Sequence, residues 1–81
     1  MLKIYGRQGC PYCEKAKNLM QMLKDQGYFH EATYIDYQEL GWSKDELTKV
    51  ANHPINTVPV VLLNDVYIGG YQELHDRYPI D

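Results

Sequence analysis

At 81 residues the chain is the size of one small domain, since a chain this short buries only about 60% of the surface it exposes unfolded, and residues 1–81 are read as a single unit. With 44% hydrophobic and 23% charged residues, six Gly and four Pro, its makeup is globular and excludes a disordered tail or a collagenous repeat. A net charge of −3 argues against a general nucleic-acid binder, which needs clustered Lys and Arg to displace counterions.

Leu2 to Tyr5 is short and apolar and stops at Gly6, which predicts a buried first strand. A Gly-x-x-Gly turn leads to Cys10. From Pro11 the apolar positions Cys13, Ala16, Leu19, Met20 and Leu23 recur at helical spacing, with polar residues between them. Pro11 suits the first helical position and Gly27 the stop, so a helix is predicted over about 11–26. The β-formers of Ala32 to Tyr37 make a second strand, and a strand-helix-strand order implies a parallel pair with a right-handed crossover. Ser43-Lys44-Asp45-Glu46 matches a capping box and opens a helix over about 44–52, ended by His53-Pro54. Val58 to Leu63 reads as a third strand buried on both faces. Asn64-Asp65 turns the chain back through Val66 to Ile68 as an antiparallel partner, and Gly69-Gly70 ends that hairpin. Tyr71 to Tyr78 makes a short last helix closed by Pro79. The order is β-α-β-α-β-β-α.

No apolar run approaches the roughly 18 residues that cross a bilayer, and the first seven residues are too broken by charge for a secretory signal, so a cytosolic location without a membrane partner is expected. The two cysteines, Cys10 and Cys13, fit that compartment. A bridge closing a four-residue loop staples almost nothing, and a secreted protein of this size would carry more. Zinc normally needs four ligands, and His30, His53 and His75 are scattered. What remains is a local Cys-x-x-Cys pair with reversible thiol chemistry.

Its position at a helix start gives the motif its meaning. A thiol there feels the positive end of the helix dipole and the unpaired N–H groups of the first turn, both of which favour thiolate. Cys10, at the cap, gains most and is the expected nucleophile. Cys13, one turn inside on the apolar stripe, stays protonated until its partner reacts and is the resolving thiol. The plain alternative, two small core residues, is weakened by Arg7, Lys15 and Lys17, which place positive charge around the thiols, although each taken singly also reads as a solvated surface charge. Thr57-Val58-Pro59 is unusual because a proline opening an apolar strand interrupts a ladder. A cis peptide there would explain it, though sequence alone does not assign one. Gly69-Gly70 before a helix reads equally as an anion site or as a plain turn. Trp42, ahead of the helix cap, His53 and His75 have structural explanations.

Taken together, Gly6-Arg7-Gln8-Gly9-Cys10-Pro11-Tyr12-Cys13, Thr57-Val58-Pro59 and Ile68-Gly69-Gly70-Tyr71 resemble the dithiol glutaredoxins of the small bacterial or phage type, over nearly the whole chain. The resemblance implies an α/β thioredoxin fold, a four-stranded mixed sheet with three flanking helices, and a cis Pro59. It implies a monomeric, glutathione-dependent thiol-disulfide oxidoreductase in which Cys10 attacks a disulfide and Cys13 resolves it, with no metal. Glutathione would lie against Tyr12, Thr57, Val58, Pro59, Gly70, Tyr71, Gln72 and Glu73. The Val58 backbone would pair with its cysteinyl part, the last helix's N-terminus would take its γ-glutamyl carboxylate, and Arg7 would face its glycyl carboxylate. Proteins with disulfides, ribonucleotide reductase among them, are the implied partners. Val60 stands where many relatives have Gln, and the last helix stops early at Tyr78-Pro79-Ile80-Asp81, which predicts thin apolar cover for the sheet. Two other readings remain: a redoxin recharged by thioredoxin reductase, which the presence of Tyr71 and Glu73 argues against, and a [2Fe–2S] module, which Pro11 is expected to hinder.

Overall fold

The computed structural model describes residues 1–80 and leaves Asp81, the last residue of the predicted C-terminal stop, outside the described residues. In chain order the elements are β1 (Leu2–Gly6), α1 (Pro11–Asp25), β2 (Ala32–Asp36), α2 (Lys44–Ala51), β3 (Val60–Leu63), β4 (Val66–Gly69) and α3 (Tyr71–Arg77). The strands form one mixed sheet in the order β2-β1-β3-β4. β1 and β2 run parallel, with Leu2 opposite Ala32 and Ile4 opposite Tyr34, while β3 is antiparallel to both β1 and β4.

Apart from Lys3, the central strands β1 and β3 carry no charged residue, because both of their faces are covered. Successive residues point to opposite sides of a strand, and the core divides accordingly. Leu2, Ile4 and Val61 pack with Ala16, Leu19 and Leu23 of α1 and Leu74 of α3. Tyr5, Val60 and Leu62 pack with Leu47 and Ala51 of α2. Each fully buried Leu or Ile contributes about 1.5–3 kcal/mol to folding.

The termini of the helices follow the capping chemistry in the sequence. At α2 the Ser43 side chain accepts the Asp45 N–H, and Glu46 Oε1 accepts the Ser43 N–H at 2.9 Å. The Ser43 N–H, and then its hydroxyl at 3.1 Å from Oε2, pull the Glu46 carboxyl below its ordinary pKa. Trp42, just ahead of this cap, joins the Leu47 cluster and stacks on Tyr5 at 5.6 Å, as a hydrophobic staple should. Asn52, in the left-handed conformation, ends α2 one residue before His53-Pro54.

Three details differ from the sequence reading. β3 begins at Val60, not Val58, because Pro59 has no N–H to give a ladder; the Val58–Pro59 peptide is cis and lies just ahead of the strand. Between β3 and β4, Val61 pairs with Gly69 and Leu62 with Tyr67, so Ile68 is the extra residue of a bulge. Cover for the sheet beyond α3 is not thin. Tyr78 and Ile80 pack on the α1-side cluster, and Tyr78 meets Tyr28 and Phe29 edge to face at 5.7 and 5.4 Å.

Candidate active site

The turn between β1 and α1 places the two sulfurs. Gly9 has φ +72°, a conformation that suits glycine, and it turns the chain so that Cys10 becomes the N-cap of α1 with Pro11 behind it at the first helical position. Cys10 and Cys13 form a disulfide with their Cα atoms 5.1 Å apart. The Cys10 sulfur also accepts the Cys13 backbone N–H at 3.2 Å, so the sulfur itself is the cap of the helix. When the bond is reduced, the same N–H and the helix dipole stabilise a thiolate on Cys10. Cys13 is fully buried, whereas Cys10 keeps 7% of its surface, so Cys10 is the more accessible of the two.

The cis peptide segment, in the loop just ahead of β3, comes close to the Cys10 sulfur. The Val58 carbonyl oxygen is 3.9 Å from the Cys10 sulfur. Next to it the start of α3 comes close: a Cβ on Gly70 would stand 3.3 Å from the Pro59 carbonyl oxygen, so the absence of a side chain at 70 sets how near α3 lies to this segment. Gly69, at φ +127°, makes the preceding bend, and Glu73 Oε1 turns back to accept the Gly70 N–H at 2.6 Å.

Between these parts lies an open groove of about 440 Å³ lined by Tyr12, Thr57, Val58, Pro59, Tyr67, Gly70, Tyr71, Gln72 and Glu73. Tyr12, 58% exposed, and Tyr71 form its rim with ring centroids 6.2 Å apart, and the Lys15 ammonium sits 4.9 Å above the Tyr12 ring. A buried-edge disulfide at a helix cap, a cis-proline backbone against it and a groove alongside form a thiol-exchange centre.

The sequence model of the glutaredoxin family matches residues 2–68. The chain belongs to the glutaredoxin family. It is 37% identical to glutaredoxin 1 of Escherichia coli over 70 residues, which cover 86% of this chain and 82% of that one. To a glutaredoxin of Haemophilus influenzae it is 40% identical over 67 residues, covering 83% and 77%. Among solved structures it resembles reduced E. coli glutaredoxin with a TM-score of 0.83 at 33% identity, covering 96% of this chain and 92% of that one. It resembles the oxidized form with a TM-score of 0.81 at 32% identity, covering 99% and 94%. This glutaredoxin is therefore a thiol-disulfide oxidoreductase with Cys10 and Cys13 as its redox-active pair.

Of the residues singled out in the sequence, the glutaredoxin fold brings eight into the groove: Tyr12, Thr57, Val58, Pro59, Gly70, Tyr71, Gln72 and Glu73. Arg7 is not among them. It lines a separate hollow of about 280 Å³ with Gln8, Glu14, Lys17, Tyr34, Asp36 and Glu39. Its guanidinium donates to the Gln8 carbonyl at 3.2 Å. Lys17 is also on that side, 5.2 Å above the Tyr34 ring. Tyr67 is the groove residue that sequence reasoning missed. Its alternation in β4 was visible, but the bulge at Ile68, which sets the direction of the strand end, was not.

Proposed function

We propose that this glutaredoxin uses glutathione to reduce protein disulfides and glutathione mixed disulfides, acting as one domain and as a cytoplasmic monomer. The observation that carries the reading is the groove, whose wall includes Val58, with its carbonyl oxygen 3.9 Å from the Cys10 sulfur, and the first turn of α3. Its parts match the parts of the tripeptide. An extended cysteinyl unit pairs with the Val58 backbone as a short strand would, holding its sulfur at Cys10. The γ-glutamyl end carries both a carboxylate and an ammonium. Glu73 already occupies the Gly70 N–H, so the ligand carboxylate meets the remaining first-turn N–H groups while the ammonium meets the Glu73 carboxylate. Arg7 is the residue assigned to the glycyl carboxylate, and it lines the separate hollow of about 280 Å³.

The chemistry is two exchanges. The Cys10 thiolate attacks a glutathione mixed disulfide, its substrate thiol leaves, and Cys10 carries the glutathione. A second glutathione thiolate attacks the glutathione sulfur and releases Cys10, giving oxidised glutathione. With a protein disulfide, Cys13 attacks the mixed disulfide on Cys10 and closes the intramolecular bond. A disulfide on a protein of the ribonucleotide reductase kind is the family-typical acceptor.

The test is NADPH oxidation with a small mixed-disulfide substrate, run with glutathione and glutathione reductase in one arm and thioredoxin reductase alone in the other. Turnover in the glutathione arm that survives in Cys13→Ser is expected. Turnover with thioredoxin reductase alone would overturn the assignment of the groove and make the protein a thioredoxin-like donor.

A further inference from the structure

Tyr34 lies in β2, opposite Ile4 of β1, and its ring packs on the α1-side cluster. Its hydroxyl oxygen is buried and has no hydrogen-bond partner among the described residues. Buried polar groups are rarely left in this state, because the lost hydration is not returned. The position of this one is specific. The Tyr34 hydroxyl and the Cys13 Cβ both border the space that a side chain on Gly6 would fill, with Cys13 Cβ 3.0 Å from it and the hydroxyl nearer still. A residue without a Cβ at position 6 is what lets the hydroxyl reach the neighbourhood of the buried cysteine.

We propose that Tyr34 is the hydrogen-bond donor to the Cys13 sulfur in the reduced protein. In the disulfide that sulfur is bonded to Cys10, and the hydroxyl has no hydrogen bond to it. A thiolate attacking the Cys10 sulfur breaks the S–S bond, and the electron pair goes to the Cys13 sulfur, which takes up a proton from solvent. A second thiol then displaces the first from Cys10, so the entering pair leaves as a disulfide and Cys10 is left as thiolate. The freed Cys13 sulfur can turn about its Cα–Cβ bond toward Tyr34, and the hydroxyl gains the acceptor it lacks in the oxidised state. The hydroxyl is thus unsatisfied in one redox state and satisfied in the other, and the difference favours reduction.

The surroundings keep it a donor. Burial first, then the Glu14 carboxylate and then that of Asp36, push the Tyr34 hydroxyl to a higher pKa, so it retains its proton across the working range. The Lys17 ammonium 5.2 Å above the ring draws electron density from it and strengthens the O–H as a donor. This role depends only on disulfide exchange and not on glutathione.

The test is Tyr34→Phe, which keeps the ring and removes the oxygen, equilibrated in dithiothreitol redox buffers with the thiol fraction read by alkylation and mass. The disulfide is expected to be favoured by about tenfold over wild type, which is about 30 mV toward a more reducing potential. The oxidised variant is expected to melt no lower than wild type, and in a Cys10→Ser background Tyr34→Phe is expected to raise the Cys13 thiol pKa. An equilibrium within twofold of wild type would overturn the proposal. So would an equal loss of thermal stability in both redox states, which would mean that the hydroxyl has the same partner in each. Because the buffer contains no glutathione, a failure here leaves the groove assignment standing, and the reverse also holds.

Discussion

The Cys10 sulfur stands 3.9 Å from the carbonyl oxygen of Val58, a residue 48 positions further along the chain. At this point of the groove the group nearest the sulfur from Val58 is its backbone carbonyl. The Val58 side chain faces the α2-side cluster instead. Val58→Ala is expected to change the KM for glutathione less than about threefold, within 1 kcal/mol, while costing about 1 kcal/mol of stability from lost packing. A change in KM of tenfold or more in a steady-state assay would show that the side chain itself is read.

The unequal exposure of the two cysteines, 7% for Cys10 and none for Cys13, separates their roles. Cys10→Ser is expected to abolish reduction of every disulfide substrate. Cys13→Ser is expected to keep most of its activity on a glutathione mixed disulfide and to lose it on protein disulfides that need the second thiol. Parallel assays on a small mixed disulfide and on a disulfide-bonded protein check both.

Gly69 holds the bend into α3 at φ +127°, and a Cβ built there would stand 2.5 Å from both Cγ and Oε1 of Glu73. Gly69→Ala is expected to displace the Glu73 carboxylate from the Gly70 N–H and to destabilise the fold by about 1–3 kcal/mol. The KM for glutathione is expected to rise several-fold with kcat nearly unchanged, because the thiols lie on a different element. Thermal melts and steady-state kinetics on the same preparation separate the two effects.

The capping box of α2 gives a pH dependence of known sign. Glu46 titrates below its ordinary value in the folded state because the Ser43 N–H and hydroxyl hold its charged form. The unfolded chain binds that proton first as pH falls, so the stabilisation is fully present above the ordinary Glu value near 4.5 and is lost as pH drops through the lower folded value. Ser43→Ala, which removes the cap, is expected to cost about 1 kcal/mol at pH 7. The gap between wild type and Glu46→Ala should narrow on acidification below pH 4.5, as followed by urea melts.

The element order was legible in the sequence because each signal was local: a 3.6-residue period with Pro11 and Gly27 at its ends, a capping box at Ser43, and a turn pair at Asn64-Asp65 whose φ values are both positive. The eight groove residues were legible through resemblance, since Tyr12, Thr57 and Tyr71 come from three separate segments and no spacing rule joins them. What stayed hidden depends on tertiary direction. Arg7 sits in the loop that turns at Gly9, and whether its side chain leaves toward the groove or toward β2 is decided by packing. Tyr34 reads as an ordinary β-former. Only the parallel register of β2 on β1, together with the bare Cα of Gly6, shows that its hydroxyl ends beside Cys13.

The sheet separates two packing layers, one holding Leu47, Ala51 and Ile55 and the other holding Leu19, Leu23 and Leu74 behind the redox helix. Substitutions in contact with one another couple, whereas those on opposite sides of a rigid sheet add independently. The α2 layer is thus the natural ground for redesign. Combinatorial repacking of Leu47, Ala51 and Ile55 with Val58 kept, since its carbonyl meets the Cys10 sulfur, is expected to change the melting temperature with little change in the thiol equilibrium, so stability and redox function can be tuned as separate variables in the same small protein.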